Sequence, residues 1–246
     1  MIPMKKEAKL VNKVKRLIRK AKLPRYLHRF GPKTYELWQH LIAFLVKQEC
    51  KLGYRRTSNL LNDLGLHVPT YSAICKSIKR VPLCLWQTLL AVTASGKIAV
   101  AAIDATGMSR NLPSPYYIKR IDKPYPMKVP IKLSLAIDTR RKKILALRLR
   151  SKKAHDIRAA TYLVKRMHKP RKIVADTAYD SESFYEFLWD RGIMPVVKIR
   201  SNARRGFVRK KVRKWFNKKV YHRRSIVESV FFSIKRKYGA SVSSLK

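Results

Sequence analysis

Residues 98–107 read IAVAAIDATG. Six apolar residues in a row lead to a single carboxylate, Asp104, and Gly107 closes the run. This is the pattern of a buried strand with its one acid at the C-terminal end. Upstream of Lys97 the apolar residues recur every three to four positions. Downstream they fall in short runs separated by helix signals, so the period of the chain changes here.

The downstream half follows from this strand. A loop rich in Pro, Tyr and Arg spans 112–126. IKLSLAID (131–138) and ILALRLR (144–150) then pair as a hairpin across Thr139–Lys143, with Asp138 as a turn residue. Asp156 is placed to cap a helix over Ile157–Met167. KIVADTAYDS (172–181) is a second buried strand, ending in Asp176, and Asp180 is placed to cap a helix over Ser181–Trp189. Gly192 ends that helix and MPVVKI (194–199) is a further strand. A strongly basic connector, RSNARRGFVRKKVRKWFNKKV, fills 200–220. The order β-β-β-α-β-α-β-α predicts an α/β fold: a mixed five-stranded sheet flanked by helices on both faces.

The upstream half reads as an all-helical region, giving domains 1–96 and 97–246. A basic helix carries Leu10, Val14, Leu17 and Ile18. A second, over 33–50, carries Tyr35, Leu37, Trp38, Leu41, Ile42, Leu45 and Val46. Arg55–Leu64, with Leu60, Leu61 and Leu64 inward, stops at Gly65. After Pro69 comes Thr70–Lys79, with Ile74 and Ile78 inward. Residues 54–80 are compatible with a helix-turn-helix, and small helical bundles contain such pairs too. In the first case Thr70, Tyr71, Ser72, Lys76 and Lys79 face outward, and Lys76 and Lys79 are candidate DNA contacts.

Charge narrows the function. The chain holds 58 Lys and Arg against 14 Asp and Glu, a net +44. That points to a polyanionic partner, nucleic acid above all. The cations are interleaved with Tyr, Trp and Phe, unlike a disordered basic tail. A ribosomal-type cationic protein remains the competing reading. Cys50, Cys75 and Cys84 have no CxxC spacing and read as reduced core residues of a cytoplasmic, nucleoid-associated protein. The basic N-terminus lacks the apolar core of a signal peptide. The apolar run near Val81–Val92 is interrupted by Gln87 and Thr88 and is too short for a bilayer, so no membrane partner is expected.

Acids are scarce enough to be informative. Before Asp104 there are only Glu7, Glu36, Glu49 and Asp63; the last is Glu228. Glu228 lies in YHRRSIVESVFFSIK (221–235). On a helix turning about 100° per residue, Tyr221, Arg224, Glu228 and Lys235 fall within one stripe of about 60°. Val227, Val230, Phe231, Ile234 and Tyr238 lie beside it as a core face. A salt-bridged surface helix would look the same. If the first and fourth strands are neighbours, however, Asp104 and Asp176 adjoin, and the closing helix can bring Glu228 to them. Three such carboxylates form a hard oxygen site suited to Mg²⁺ or Mn²⁺.

The spacing Tyr221-x2-Arg224-x3-Glu228-x6-Lys235 resembles the signature of insertion-sequence DDE transposases. IDATG resembles that family's first Asp motif, and ADTAYDS followed by RGIMPVVKIRSN its second. The resemblance covers about residues 98–240. It implies a ribonuclease-H-like catalytic domain that cuts and pastes DNA. By position, Asp104, Asp176 and Glu228 would be catalytic residues and ligands of two Mg²⁺ ions, with Mn²⁺ an alternative. Tyr221, Arg224 and Lys235 would contact phosphates near the transposon end. The implied partners are double-stranded DNA, as terminal inverted repeats and target, and a second copy of the chain. His155 and Asp156 resemble a His-Asp pair of the family, with capping sufficient for Asp156. Trp215 fits either stacking on an unpaired base or packing. The connector is too short for the large inserted domain of some relatives. The chain ends 11 residues after Lys235, where relatives usually continue, which reads as a truncation. A structure-specific nuclease on the same fold and a non-catalytic nucleic-acid-binding protein are the other two readings.

Overall fold

The computed structural model describes residues 5–27, 30, 33–94, 96–111, 114–122, 130–151, 155–203 and 205–243. The chain divides into two compact units, Met1–Thr93 and Ala94–Lys246.

The first unit is all-helical: α1 (Lys5–Lys20), α2 (Leu37–Glu49), α3 (Tyr54–Asp63), α4 (Tyr71–Arg80) and α5 (Leu83–Thr93). Val14, Ile18, Leu37, Leu41, Ile42, Leu61, Ile74 and Leu85 form its core. Gly65, at φ +75°, turns the chain between α3 and α4. Ser58 Oγ donates to the Pro69 carbonyl at 3.0 Å and Asn62 Oδ1 accepts from Val68 N at 2.9 Å, fixing that turn. The α3 face differs from expectation. Thr57, Ser58 and Leu61 are buried, while Leu60 and Leu64 are exposed. Leu60 sits about 100° round the helix from Leu61, and Leu64 is the C-cap beyond the last turn. The cysteines are not core residues either. Cys50 and Cys84 are exposed and Cys75 is half-buried, because Cys50 caps the end of α2 and Cys84 lies in the first turn of α5.

The second unit begins with β1 (Ile98–Asn111), a short helix α6 (Pro115–Arg120), β2 (Ile131–Asp138) and β3 (Ile144–Arg150). Then come α7 (Asp156–Arg166), β4 (Pro170–Ala175), α8 (Glu182–Trp189) and β5 (Met194–Val197). The chain closes with α9 (Phe207–Lys214), α10 (Lys218–Tyr221), α11 (Ser225–Tyr238) and β6 (Ser241–Ser243). The sheet order is β3-β2-β1-β4-β5. β1 is antiparallel to β2 and parallel to β4, and β5 is parallel to β4. This is a ribonuclease-H-like mixed sheet. Helices cover both faces, as the sequence predicts. Ile103, Ala136, Ala146 and Ile173 pack under α7, α8 and α9. Val100, Ala102, Leu135 and Val174 pack under Val227 and Phe231 of α11. Burying each of those two anchors contributes roughly 1.5–3 kcal/mol.

Four details depart from the sequence reading. β1 does not end at Asp104: it runs on to Asn111, because β2 pairs with it as far as Met108. A sixth strand, β6, pairs in parallel with Ser109–Asn111. The 112–126 loop contains α6, where Ser114 Oγ accepts from Tyr117 N and Pro115 opens the helix; residues 112–113 and 123–126 lie outside the described residues. Tyr238, expected on the core face, is exposed at the end of α11.

Candidate active site

The parallel register decides where the two aspartates sit. The last β1–β4 partners are Ile103 and Ala175, so Asp104 and Asp176 are the next residue on each strand. Alternation along a strand then fixes their face. Ala102 and Val174 face α11, so the side chains two residues on, at Asp104 and Asp176, share that side, as does Thr106. β4 ends here and passes into a 3-10 turn, Thr177–Tyr179, with Asp176 as its N-cap; Asp176 Oδ1 accepts from Thr177 N at 2.8 Å. Asp104 stays in the sheet through β2, and its Oδ1 accepts from Ala105 N at 2.8 Å.

The segment across the face is not one continuous α-helix. α10 ends at Tyr221, a 3-10 turn covers His222–Arg224, and α11 starts at Ser225. Three of the four expected side chains nonetheless reach the same strand ends, and Glu228 meets them only through Arg224. Tyr221 OH donates to Asp176 Oδ1 at 3.5 Å. Arg224 Nη1 donates to Asp104 Oδ2 at 3.3 Å, and its Nη2 lies 3.0 Å from Glu228 Oε1. Lys235 Nζ donates to Thr106 Oγ1 at 2.8 Å. The carboxylates are therefore linked through Tyr221 and Arg224.

Among the described residues, no group of three or more His, Cys, Asp or Glu is arranged to hold a metal ion. The side chain of Glu228 is 58% exposed and engaged by Arg224, whereas that of Asp104 is only 21% exposed. Burial pushes the Asp104 carboxyl above its ordinary range. The Ala105 N–H and the Arg224 guanidinium pull it down, and the charges of Asp176 and Glu228 push it up again. The Tyr221 hydroxyl is raised by burial and then by Asp176. The strand ends thus carry converging negative charge that a cation relieves, and Arg224 is the cation present.

A family model described as the transposase DDE domain matches residues 95–246, more than half of the chain. The chain belongs to this family. No curated protein matches it. Among solved structures it is similar to the piggyBac transposase in a synaptic complex with hairpin DNA: 14% identity, TM-score 0.39, 80% of this chain and 49% of that one. It is also similar to the simian T-cell lymphotropic virus intasome in complex with PP2A regulatory subunit B56 gamma, at 11% identity and TM-score 0.33, covering 80% and 63%. A third is the Mos1 transposase paired-end complex with the left transposon end, at 11% and 0.27, covering 92% and 87%. The chain spans about half the length of the piggyBac chain it matches.

Asp156 and Asp180 of the transposase DDE domain have roles different from those expected. Asp156 does not cap α7. His155 is the N-cap and Asp156 the first helical residue, where it pairs with Lys132 and, at 3.6 Å, with Arg150 Nη2. Asp180 does not cap α8; Ser181 holds the N-cap position, without a side-chain capping bond. The Asp180 side chain is fully buried and accepts from Tyr185 OH at 3.0 Å, Arg200 N at 3.0 Å and Arg209 Nε at 2.8 Å. Burial alone raises its pKa, but these donors outweigh it and hold the carboxyl below its ordinary value. Asp138 is a turn residue as expected, accepting from Arg140 N at 2.9 Å. Trp215 stacks on Trp189 at 5.3 Å between ring centroids, and both remain about half-exposed.

Lys76 and Lys79 are exposed on α4 with Thr70, Tyr71 and Ser72, in the other unit from the carboxylates. Sequence reasoning passed over Thr106, Arg209 and Glu182. Glu182 caps α9, accepting from Val208 N at 2.7 Å and Arg209 N at 3.1 Å. The signal was available: with so few acids among so many cations, each acid is a candidate hub. Among the described residues, no helix is long and apolar enough to cross a membrane.

Proposed function

We propose that this chain is a transposase that cleaves DNA at transposon ends and joins the freed 3′-OH to target DNA, with Asp104, Asp176 and Glu228 as its catalytic carboxylates. The observation that carries this reading is the register. Two aspartates stand side by side on parallel strands, and a helix lies across them with Glu228 one guanidinium away from Asp104.

The donor chemistry suits hard divalent cations, although the three side chains do not converge, Glu228 being held by Arg224. The donor set is all carboxylate oxygen, and Asp104 is raised first by burial, with the charges of Asp176 and Glu228 adding to it. Asp104, Asp176 and Glu228 would hold two Mg²⁺ or Mn²⁺ ions, whose chemistry is to stabilise the attacking and leaving oxygens of an in-line phosphoryl transfer. Arg224 occupies the carboxylates until DNA arrives, then turns to a phosphate. Tyr221 and Lys235, on either side of it, position the strand. The wider field of +44 draws the duplex in. The helical unit reads the terminal repeats, with Lys76 and Lys79 on its DNA-facing helix. Two copies act together on two ends, in the cytoplasm at the nucleoid.

The test is end cleavage on DNA carrying the element's own termini, with Mg²⁺. Wild type cuts and transfers strands, whereas Asp104→Ala and Glu228→Ala do neither. Cleavage by either variant at the wild-type rate rejects the assignment. Cutting that ignores the termini and yields no strand transfer would identify a structure-specific nuclease instead.

A further inference from the structure

Among the described residues, five buried side-chain atoms make no hydrogen bond of ordinary geometry: Ser134 Oγ, Arg150 Nε and Nη2, Asp156 Oδ1 and Tyr179 OH; of these, Asp156 Oδ1 is ion-paired with Lys132 and lies 3.6 Å from Arg150 Nη2. They belong to one neighbourhood. Ser134 pairs across the ladder with Arg148, and Lys132 with Arg150. All four lie on the sheet face of Ala136 and Ala146, which α7 covers. Asp156, in the first turn of α7, comes down on Lys132 and Arg150. Tyr179 is buried in the same core. After burial, the charge that most raises its hydroxyl is that of Asp156, ahead of Asp104 and Asp176.

The neighbourhood lies on the opposite face of the sheet from α11, behind the two aspartates. Tyr179 ends the 3-10 turn whose N-cap is Asp176. Whatever holds the Tyr179 hydroxyl therefore also holds the turn that presents Asp176. Buried polar atoms in native interiors are satisfied by protein or by ordered water, and a buried water makes about three hydrogen bonds. The Ser134 and Tyr179 hydroxyls and Arg150 Nε supply the donors and acceptors that such a water needs, and Asp156 Oδ1, already paired with Lys132, keeps a lone pair for it.

We propose that Ser134, Arg150, Asp156 and Tyr179 form a water-bridged positioning network that fixes the turn carrying Asp176. None of them touches the reacting atoms; they act through the placement of Asp176. The network stands on its own observations, and only its effect on cleavage rests on the function proposed above.

Two variants of the full chain test it, Tyr179→Phe and Asp156→Asn, singly and together. Tyr179→Phe keeps the ring and removes only the hydroxyl. If that hydroxyl is idle, its removal leaves stability unchanged or higher, since an unsatisfied buried group is lost. The network predicts lower stability in urea. It also predicts a double variant whose unfolding constant departs from the product of the single effects by on the order of tenfold. In end cleavage, Tyr179→Phe raises the Mg²⁺ concentration for half-maximal rate about tenfold, the scale of losing support behind a ligand, with affinity for the DNA end unchanged. Additive effects on unfolding overturn the network, whatever the activity. An unchanged Mg²⁺ requirement overturns the positioning role, provided Asp104→Ala is inactive. If Asp104→Ala is active, the catalytic assignment fails, and the unfolding cycle still decides the network.

Discussion

Arg224 reaches back 120 residues to donate to Asp104 at 3.3 Å, and its other terminal nitrogen meets Glu228 at 3.0 Å. One planar fork spans two carboxylates from different elements, which a lysine cannot reproduce. Removing Arg224 leaves Asp104, already raised by burial and by its neighbours' charges, without its nearest cation. Arg224→Ala is therefore expected to bind Mg²⁺ more readily, because nothing competes for the carboxylates. It is also expected to lose roughly ten- to a hundredfold in end cleavage, the value of one charged hydrogen bond to substrate. Thermal melts check the first part: added Mg²⁺ should raise the variant's midpoint more than the wild type's. Equal shifts would mean that Arg224 and the cation do not share a place.

Asp180 is the strongest structural prediction. Its buried carboxylate holds together α8 through Tyr185, the chain after β5 through Arg200, and α9 through Arg209. Removing one partner of such a pair leaves the other uncompensated, so Asp180→Ala should cost about 3–5 kcal/mol in urea unfolding. Its folded pKa is depressed, so its contribution is full above the unfolded value, near 3.9. It is lost as pH falls through the lower folded value. The gap between wild type and variant should thus be wide at pH 7 and shrink only in strong acid. A gap that does not depend on pH would mean that packing, not charge, is what was removed.

Gly206 precedes α9 at φ +116°, and a Cβ there would collide with the Glu182 carboxylate. Gly206→Ala is strained on both counts. It also displaces the cap that accepts from Val208 and Arg209. A loss of roughly 1–3 kcal/mol is expected from the backbone alone, with the missing cap adding to it. Because Val208 and Val212 anchor α9 in the core, the loss should appear as earlier proteolysis within 200–215 before global unfolding. A variant cut no faster there than wild type would show that the cap does not hold α9.

Legibility in the sequence tracked how local each cause was. The strands under both helix layers were readable because buried strands such as Ile98–Ile103 and Ile173–Ala175 are apolar without interruption. Asp104 and Asp176 stood out because each breaks such a run. The length of β1 was not readable. Residues 105–111 are held by β2 and β6, which come from far along the chain, and ATGMSRN has no strand pattern of its own. Asp156 and Asp180 were misread for a related reason. An acid before a helix is a cap by default, and here distant arginines and a lysine outbid the nearby N–H groups. The stripe from Tyr221 to Lys235 is not carried by one continuous α-helix as the spacing implies. A 3-10 turn at His222–Arg224 turns more per residue than an α-helix, yet Tyr221, Arg224 and Lys235 still bond to the strand ends, with Glu228 held beside them by Arg224.

Lys235 separates binding from chemistry. Its Nζ donates to Thr106 Oγ1, two residues beyond Asp104 on the same face of β1. A phosphate arriving at the carboxylates would replace that hydroxyl as its partner. Lys235→Ala should weaken binding of the transposon end uniformly across sequences and reduce the slope of log affinity against log salt by about one. Lys76→Ala and Lys79→Ala, on the exposed side of α4, should each reduce the slope by a similar amount. The difference lies at saturation. With DNA in excess, the α4 variants should cut at the wild-type rate, since the proposed role of those lysines is only to hold the duplex. Under the proposed function Lys235 holds a phosphate beside the bond that breaks, so Lys235→Ala should remain slow. Filter binding at several salt concentrations, together with single-turnover cleavage, measures both quantities. A Lys235→Ala protein that recovers fully at saturating DNA would move Lys235 from the reaction centre to the general electrostatic field of the chain.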